Sequence, residues 1–237
     1  MRFFLLFLLL LAGCGALALH QGWAPPRWNP WAVPDPAEPP GLFTGMQLQR
    51  LDRDPARCLA WVEAAGMRIT PVPDRETGPG CGFQGAARME RSERVRYSAP
   101  FTATCPVLAA LAMWERWTLQ PAARELLGAE AETIQHYGTY ACRNTRTDRG
   151  QGRNRSQHAT ANAIDIAAVT LADGRTVRVA RDWTRTGPDG ESTAEARFLH
   201  RLRDGACDSF RAVLSPDYNR AHADHLHLDL GRWGVCR

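Results

Sequence analysis

After Asp224, the run His225-Leu226-His227-Leu228-Asp229-Leu230 alternates strictly between polar and apolar side chains. Successive side chains on a β-strand point to opposite faces, so the pattern fits a half-buried strand and not a helix. On such a strand His225, His227 and Asp229 share one face, and Leu226, Leu228 and Leu230 share the other. A row of titratable groups is thereby held rigidly above an apolar core. A second segment, Ser156-Gln157-His158-Ala159-Thr160-Ala161-Asn162-Ala163-Ile164-Asp165, has related properties. A strand from Ala163 to Val169 sends Ile164 and Ile166 to the core and Asp165 to the opposite face. His158 stands too far from Asp165 along any straight element to meet it at one centre, so the chain is expected to turn at Thr160-Ala161-Asn162. Imidazole and carboxylate ligands of a zinc ion approach one another to about 3–3.5 Å, and two such segments supply the right donors.

Composition narrows the chemistry. All 29 basic residues are arginine, and lysine is absent. That excludes a Schiff-base or pyridoxal-phosphate lysine and the lysine of a phosphate-binding P-loop. Arginine does not deprotonate at working pH, so acid–base work falls to His, Asp, Glu, Tyr or Cys. The net charge of +4 is mild, and the arginines are interspersed with 25 acidic residues rather than gathered in a stripe, which argues against a nucleic-acid partner. With 237 residues, 44% of them hydrophobic, the chain suits one domain with appendages.

The N-terminus places that domain. Phe3 to Leu19 is an unbroken apolar run at the short end of what crosses a bilayer, followed by Trp23, Trp28 and Trp31 at interface depth. Three readings stay open: an uncleaved anchor; a lipoprotein signal, in which Leu11-Ala12-Gly13-Cys14 looks like a lipobox; and an ordinary signal cleaved after Ala16-Leu17-Ala18. Each puts the remainder outside the cytoplasm, on the periplasmic side of the cell envelope. Apart from Cys14 there are six cysteines, Cys58, Cys81, Cys105, Cys142, Cys207 and Cys236, with long spacings and no C-x-x-C. They are expected to form three disulfides, whose pairing the spacing leaves open.

The organisation is then 1–22 as membrane or signal segment, 23–41 as a proline-rich spacer or strap, and 42–237 as the folded domain. Within 24–40, seven of seventeen residues are proline, which suits polyproline II and not a core. Pro106 to Leu127 reads as a helix that Pro121 kinks or splits, with Met113, Trp114 and Trp117 as core. Thr133 to Arg143 reads as a strand, Asp173-Gly174 as a hairpin turn, and Thr193 to Phe210 as a helix burying Phe198, Leu199 and Leu202. Helices and short hairpins without a βαβ rhythm predict an α+β fold with a small antiparallel sheet. A monomer is expected. Tyr218, Asn219, His136 and His222 could line such a site but read first as surface or capping residues.

Two resemblances add to this. Ser156-x-His158-x₆-Asp165 followed by His225-x-His227 resembles the zinc signature of the LAS-type metallopeptidases, which include D-Ala-D-Ala carboxypeptidases and peptidoglycan endopeptidases. The stretch from Pro106 to Arg237, with HYGTYACR, SQHATANAIDI, RDGAC, LSPDYN and AHADHLHLD, is similar to the bacterial extensin-like C-terminal domain family. The first resemblance implies one zinc ion on His158, Asp165 and His227, within an LAS-like fold. It implies Asp224 as general base, whereas strand alternation favours His225 as the catalytic partner, so both stand. Arg143 resembles the arginine that LAS enzymes direct at the substrate carbonyl or carboxylate. The sequence departs from the LAS pattern at Ala159-Thr160-Ala161, where a glycine is usual. Zinc-bound water would then attack an amide in a peptidoglycan peptide. The rival reading is a non-catalytic envelope-binding domain that keeps the scaffold; a phosphohydrolase is disfavoured because no phosphate-cradling glycine loop appears.

Overall fold

The computed structural model describes residues 2–23, 25–147 and 150–237; Met1, Ala24 and the pair 148–149 lie outside the described residues. A long N-terminal helix, α1 (Arg2–His20), leaves most of its apolar side chains exposed. At 1.5 Å per residue it is about 28 Å long, close to the thickness of a bilayer's hydrocarbon layer.

The proline-rich stretch is a strap bound to the domain rather than a free spacer. Gln47, buried in helix α2 (Thr44–Arg50), donates both side-chain amide protons to the strap, to the carbonyls of Pro26 and Asn29, each at 2.7 Å. Arg50 Nη1 donates to Pro30 O, and Trp61 Nε1, from helix α3 (Pro55–Ala64), donates to Pro34 O, both at 2.6 Å. A strap with this much proline has few N–H groups to offer, so its carbonyls are the natural attachment points.

The next segment forms β1 (Met67–Pro71), β2 (Arg75–Gly78), β3 (Cys81–Phe83), β4 (Ala86–Ser92), β5 (Arg96–Tyr97) and β6 (Phe101–Thr104). Strands β1, β4 and β6 make a three-stranded antiparallel sheet, and β2 pairs with β3 as a separate hairpin. Helix α4 (Cys105–Trp114) follows, wholly buried. Before Pro121 the helix widens into a π-helical turn at Glu115–Leu119 and then resumes as α5 (Gln120–Leu127), so the expected split occurs as a change of register. Proline has no N–H to give and its ring crowds the carbonyl four residues back; a wider turn relieves both. Gly128, with φ +69°, ends the helix in the left-handed conformation.

The remaining strands are β7 (Ala131–Gly138), β8 (Asn144–Thr147), β9 (Gly150–Arg155), β10 (Ala163–Leu171), β11 (Thr176–Arg178), β12 (Ala212–Leu214), β13 (Leu226–Asp229) and β14 (Val235–Cys236), with helices α6 (Val179–Asp182) and α7 (Ala194–Ala206) among them. The main sheet runs β14-β12-β13-β10-β7-β5 with β11 paired to β10; its pairs are antiparallel except β12 with β14 and β5 with β7. The class is mixed α+β with small antiparallel sheets, as expected. Two expectations of extent are corrected. The strand begun near Thr133 ends at Gly138, whose φ of +111° turns the chain out of the sheet, so residues 139–143 are a loop. The helix expected over 193–210 stops at Ala206, with Thr193 as its cap accepting from the Ala196 N–H.

Three disulfides join Cys58 to Cys105, Cys81 to Cys142 and Cys207 to Cys236, leaving Cys14 free on α1. The core lies between the helices and one face of the main sheet. Ile164, Ile166, Leu226 and Leu228 are at most 1% exposed there, and burying each such side chain is worth about 1.5–3 kcal/mol. This burial fixes the register of β10 against β13 and thereby the face on which their polar residues stand.

Candidate metal centre

In the β10–β13 pair, Asp165 is the direct cross-strand partner of His227, while Ile164 faces Leu228 and Ile166 faces Leu226. Asp165 and His227 therefore project together from the face opposite the core. His158 reaches them from a short 3-10 turn, Gln157–Thr160, that Ser156 caps through its hydroxyl. Ala161 then reverses the chain into β10 with φ +52° and ψ +28°, the left-handed conformation that glycine adopts more cheaply. An alanine in that conformation delivers the turn where the family pattern suggested glycine.

The three side chains converge. His158 Nε2 lies 3.0 Å from Asp165 Oδ1 and 3.1 Å from His227 Nδ1, and His227 Nδ1 lies 2.8 Å from Asp165 Oδ1. All three are at most 8% exposed. The outer atoms of both rings have partners that can only accept: His158 Nδ1 faces Thr139 O at 3.1 Å, and His227 Nε2 faces an Asp229 Oδ2 at 2.8 Å. Each outer nitrogen must carry a proton, so each neutral ring turns a lone pair inward. Asp229 is itself held, its Oδ1 accepting from Gly231 N at 2.7 Å. Two imidazole lone pairs and a carboxylate thus point at one centre with outer partners fixing both rings, as metal-binding histidines require. Among the described residues this is the one group of His, Cys, Asp and Glu able to hold a metal ion.

Electrostatics expresses the same crowding. Burial works against a charge on His227, yet hydrogen bonds to Asp165 and Asp229 outweigh it and raise its pKa to about 9. Burial likewise works against the Asp165 carboxylate, but its hydrogen bonds with His158 and His227 hold it well below the usual carboxylate range. With no cation between them, a proton on His227 Nδ1 bridges the three acceptors. A cation at the same point would replace it. The ligand atoms sit slightly closer than the roughly 3.3 Å that a tetrahedral ion imposes, so binding calls for a few tenths of an ångström of expansion.

The other expected residues take different places. His225 precedes β13; its Nδ1 pairs with Asp224 Oδ1 at 2.8 Å and its Nε2 stands 3.5 Å from Asp165 Oδ1. Asp224 is exposed and reaches the cluster only through His225. Arg143 lies in loop 139–143, half-buried; burial first, then the nearby Arg146, lowers its pKa. That loop is clipped to the His158 turn by Ala141 N to His158 O at 3.0 Å and to β3 by the Cys81–Cys142 bond. All of these residues border one cleft of about 1240 Å³.

His222, read from the sequence as surface, is also brought into the cleft. Its ring lies 5.2 Å from that of His225 and 5.7 Å from that of His227, and its Nδ1 bonds to Asn219 Oδ1 at 2.7 Å. Burial, reinforced by the neighbouring imidazoles, lowers its pKa to about 4 and keeps it neutral. Its spacing three residues before His225 was the only available signal. His136 is elsewhere, bonded to Ala99 O at 2.9 Å.

Fold and site together define a disulfide-stapled α+β domain whose sheet carries a buried His–Asp–His cluster on its open face. Comparison with protein families matches residues 56–237 to the family described as extensin-like protein, C-terminus, and the chain belongs to that family. No curated protein and no solved structure matches it.

Proposed function

We propose that this protein is a zinc-dependent peptidase of the cell envelope, related to the LAS-type metallopeptidases and acting on peptidoglycan peptides from the periplasmic side. The observation that carries the proposal is the pair of imidazoles whose outer nitrogens are committed to Thr139 O and Asp229, leaving His158 Nε2, His227 Nδ1 and Asp165 to receive a divalent ion. Two histidines and a carboxylate leave a fourth position open on zinc, the donor set of a hydrolytic rather than a closed structural site. When bound, zinc supplies a Lewis acid and lowers the pKa of water.

The chain's own groups supply the remaining work. Asp224 holds the Nδ1 proton of His225, so Nε2 is the atom that accepts a proton beside the cluster and returns it to the leaving amine. This gives His225 the proton transfer and Asp224 the orientation, a division of labour known from His–Asp pairs in other hydrolases. Arg143 directs a positive charge at the substrate's carbonyl or carboxylate oxygen, where no lysine exists to do so. Helix α1 is the membrane anchor and the domain works beside it.

The test is metal analysis of the purified full-length protein followed by digestion of muropeptides. About one equivalent of zinc, turnover in the wild type and its loss in His225→Ala are expected, with a partial loss in Asp224→Ala. Zinc without turnover would replace this reading with a non-catalytic binding domain; no zinc would remove both.

A further inference from the structure

We infer that the strap and its tryptophans form a lipid-contacting seat, which holds the domain against the headgroup layer of the membrane entered by α1. The inference rests on α1 being retained as an anchor. Asn29 links the two parts. Its Nδ2 donates to Leu19 O at 3.0 Å, a carbonyl in the last turn of α1 that also accepts from Gly22 N. Its own carbonyl accepts from the buried amide of Gln47 in α2. Helix, strap and domain are therefore joined by consecutive hydrogen bonds, and the strap cannot act as a loose tether while these hold.

Beside its bonded carbonyls the strap exposes large aromatic side chains. Trp23, Trp28 and Trp31 are 78%, 59% and 70% exposed, and Leu42 is 84% exposed. Val33 and Pro34, by contrast, turn towards the domain. Tryptophan favours the interfacial layer of a bilayer, where its ring is sheltered and its N–H stays wet. Arg27, with its guanidinium carbon 5.8 Å from the Trp28 ring centroid, adds a cation suited to anionic headgroups. The occupant follows from continuity: α1 ends at His20, and the exposed rings begin at Trp23, so the surface nearest to them is the membrane that α1 enters.

The experiment uses the full chain in nanodiscs whose lipids carry bromine close to the headgroup, reading quenching of tryptophan fluorescence. The emission removed by the double variant Trp28→Phe/Trp31→Phe is expected to be quenched several-fold more than that removed by Trp233→Phe, an exposed ring at the cleft. Asn29→Ala is expected to weaken the quenching of Trp28 and Trp31 while leaving that of Trp23 intact. If the component removed by Trp23→Phe is quenched and the Trp28/Trp31 component is not, α1 is inserted but the seat does not exist. If the chain fails to enter the nanodiscs, the anchor and the seat fall together. Unchanged quenching in Asn29→Ala would overturn the hydrogen-bonded link.

Discussion

Two of the ionisable clusters that the domain buries are built on opposite principles. Glu115, in the π-helical turn, is fully buried, and each of its oxygens receives a hydroxyl: Ser92 Oγ on one and Tyr97 Oη on the other, the latter at 2.5 Å. Donors and acceptors balance, and burial raises the Glu115 pKa to about 7, against the lowering effect of those bonds and of Arg94. At His158, Asp165 and His227 the outer donors point away to Thr139 O and Asp229, and the three inward atoms share a single proton on His227 Nδ1. The first closes on itself; the second offers three converging ligand atoms where a cation would fit. Burial alone does not distinguish them, but the direction of the hydrogen bonds does.

The largest expected effect breaks the second cluster and spares the first. Losing an outer partner of a metal ligand costs about 10–100-fold in affinity, so His158→Ala, which removes a ligand, should exceed a hundredfold. Dialysed protein would then retain essentially no zinc by elemental analysis, whereas Glu115→Gln should retain as much as the wild type.

Glu115→Gln should instead change stability with pH. The folded protein keeps a proton on Glu115 up to about pH 7, while the unfolded chain releases it near 4.5. Between those values the folded state binds the extra proton, so stability declines as pH rises through the window and stays lower above it. Glutamine is neutral in both states. Denaturant titrations should show the variant more stable at pH 8 by up to about 3 kcal/mol and show little difference at pH 4. Equal pH profiles would mean that Glu115 is ionised and paired in the folded protein.

Chelation should act only through the other cluster. Zinc in hundredfold excess over its dissociation constant stabilises the folded state by about 2.7 kcal/mol, and a chelator should lower the melting temperature by the corresponding amount. His158→Ala should melt at the same temperature with or without chelator. The smallest change expected is for Asp229→Asn, whose one carbonyl oxygen can accept either the His227 Nε2 proton or the Gly231 N–H and which loses the negative charge that makes the ring a stronger ligand. Its zinc affinity, read by competition with a chromophoric chelator, should fall about 10–100-fold.

The first of these clusters was invisible in the sequence and the second largely visible. Alternation in 225–230 and 163–169 places Asp165 and His227 on one face because a strand's period is fixed and its apolar side must be buried; Ile164, Ile166, Leu226 and Leu228 do lie in the core. The hairpin at Asp173-Gly174 and the interruption before Pro121 were legible from turn and proline chemistry for the same reason: the cause is local. Glu115, Ser92 and Tyr97 meet through packing of distant segments, and nothing local marks Glu115 as different from an exposed helical glutamate. The sheet of β1, β4 and β6 left little trace, since β4 does not alternate cleanly and a bulge interrupts β1 between Arg68 and Ile69. His222 owes its place to the fold of residues 215–225 around the cleft, and the disulfide partners to tertiary proximity; neither follows from spacing.

The bond between Cys81 and Cys142 has a consequence in time as well as space. It closes a 61-residue separation and ends one position before Arg143, adding a covalent tie to the hydrogen bonds that hold this loop to the His158 turn. A reducing cytosol does not sustain such bonds, whereas an oxidising compartment does. A chain in reducing surroundings can form its strands but lacks the covalent catch between this wall of the cleft and β3. Oxidation of one cysteine pair thereby fastens the loop that carries Arg143.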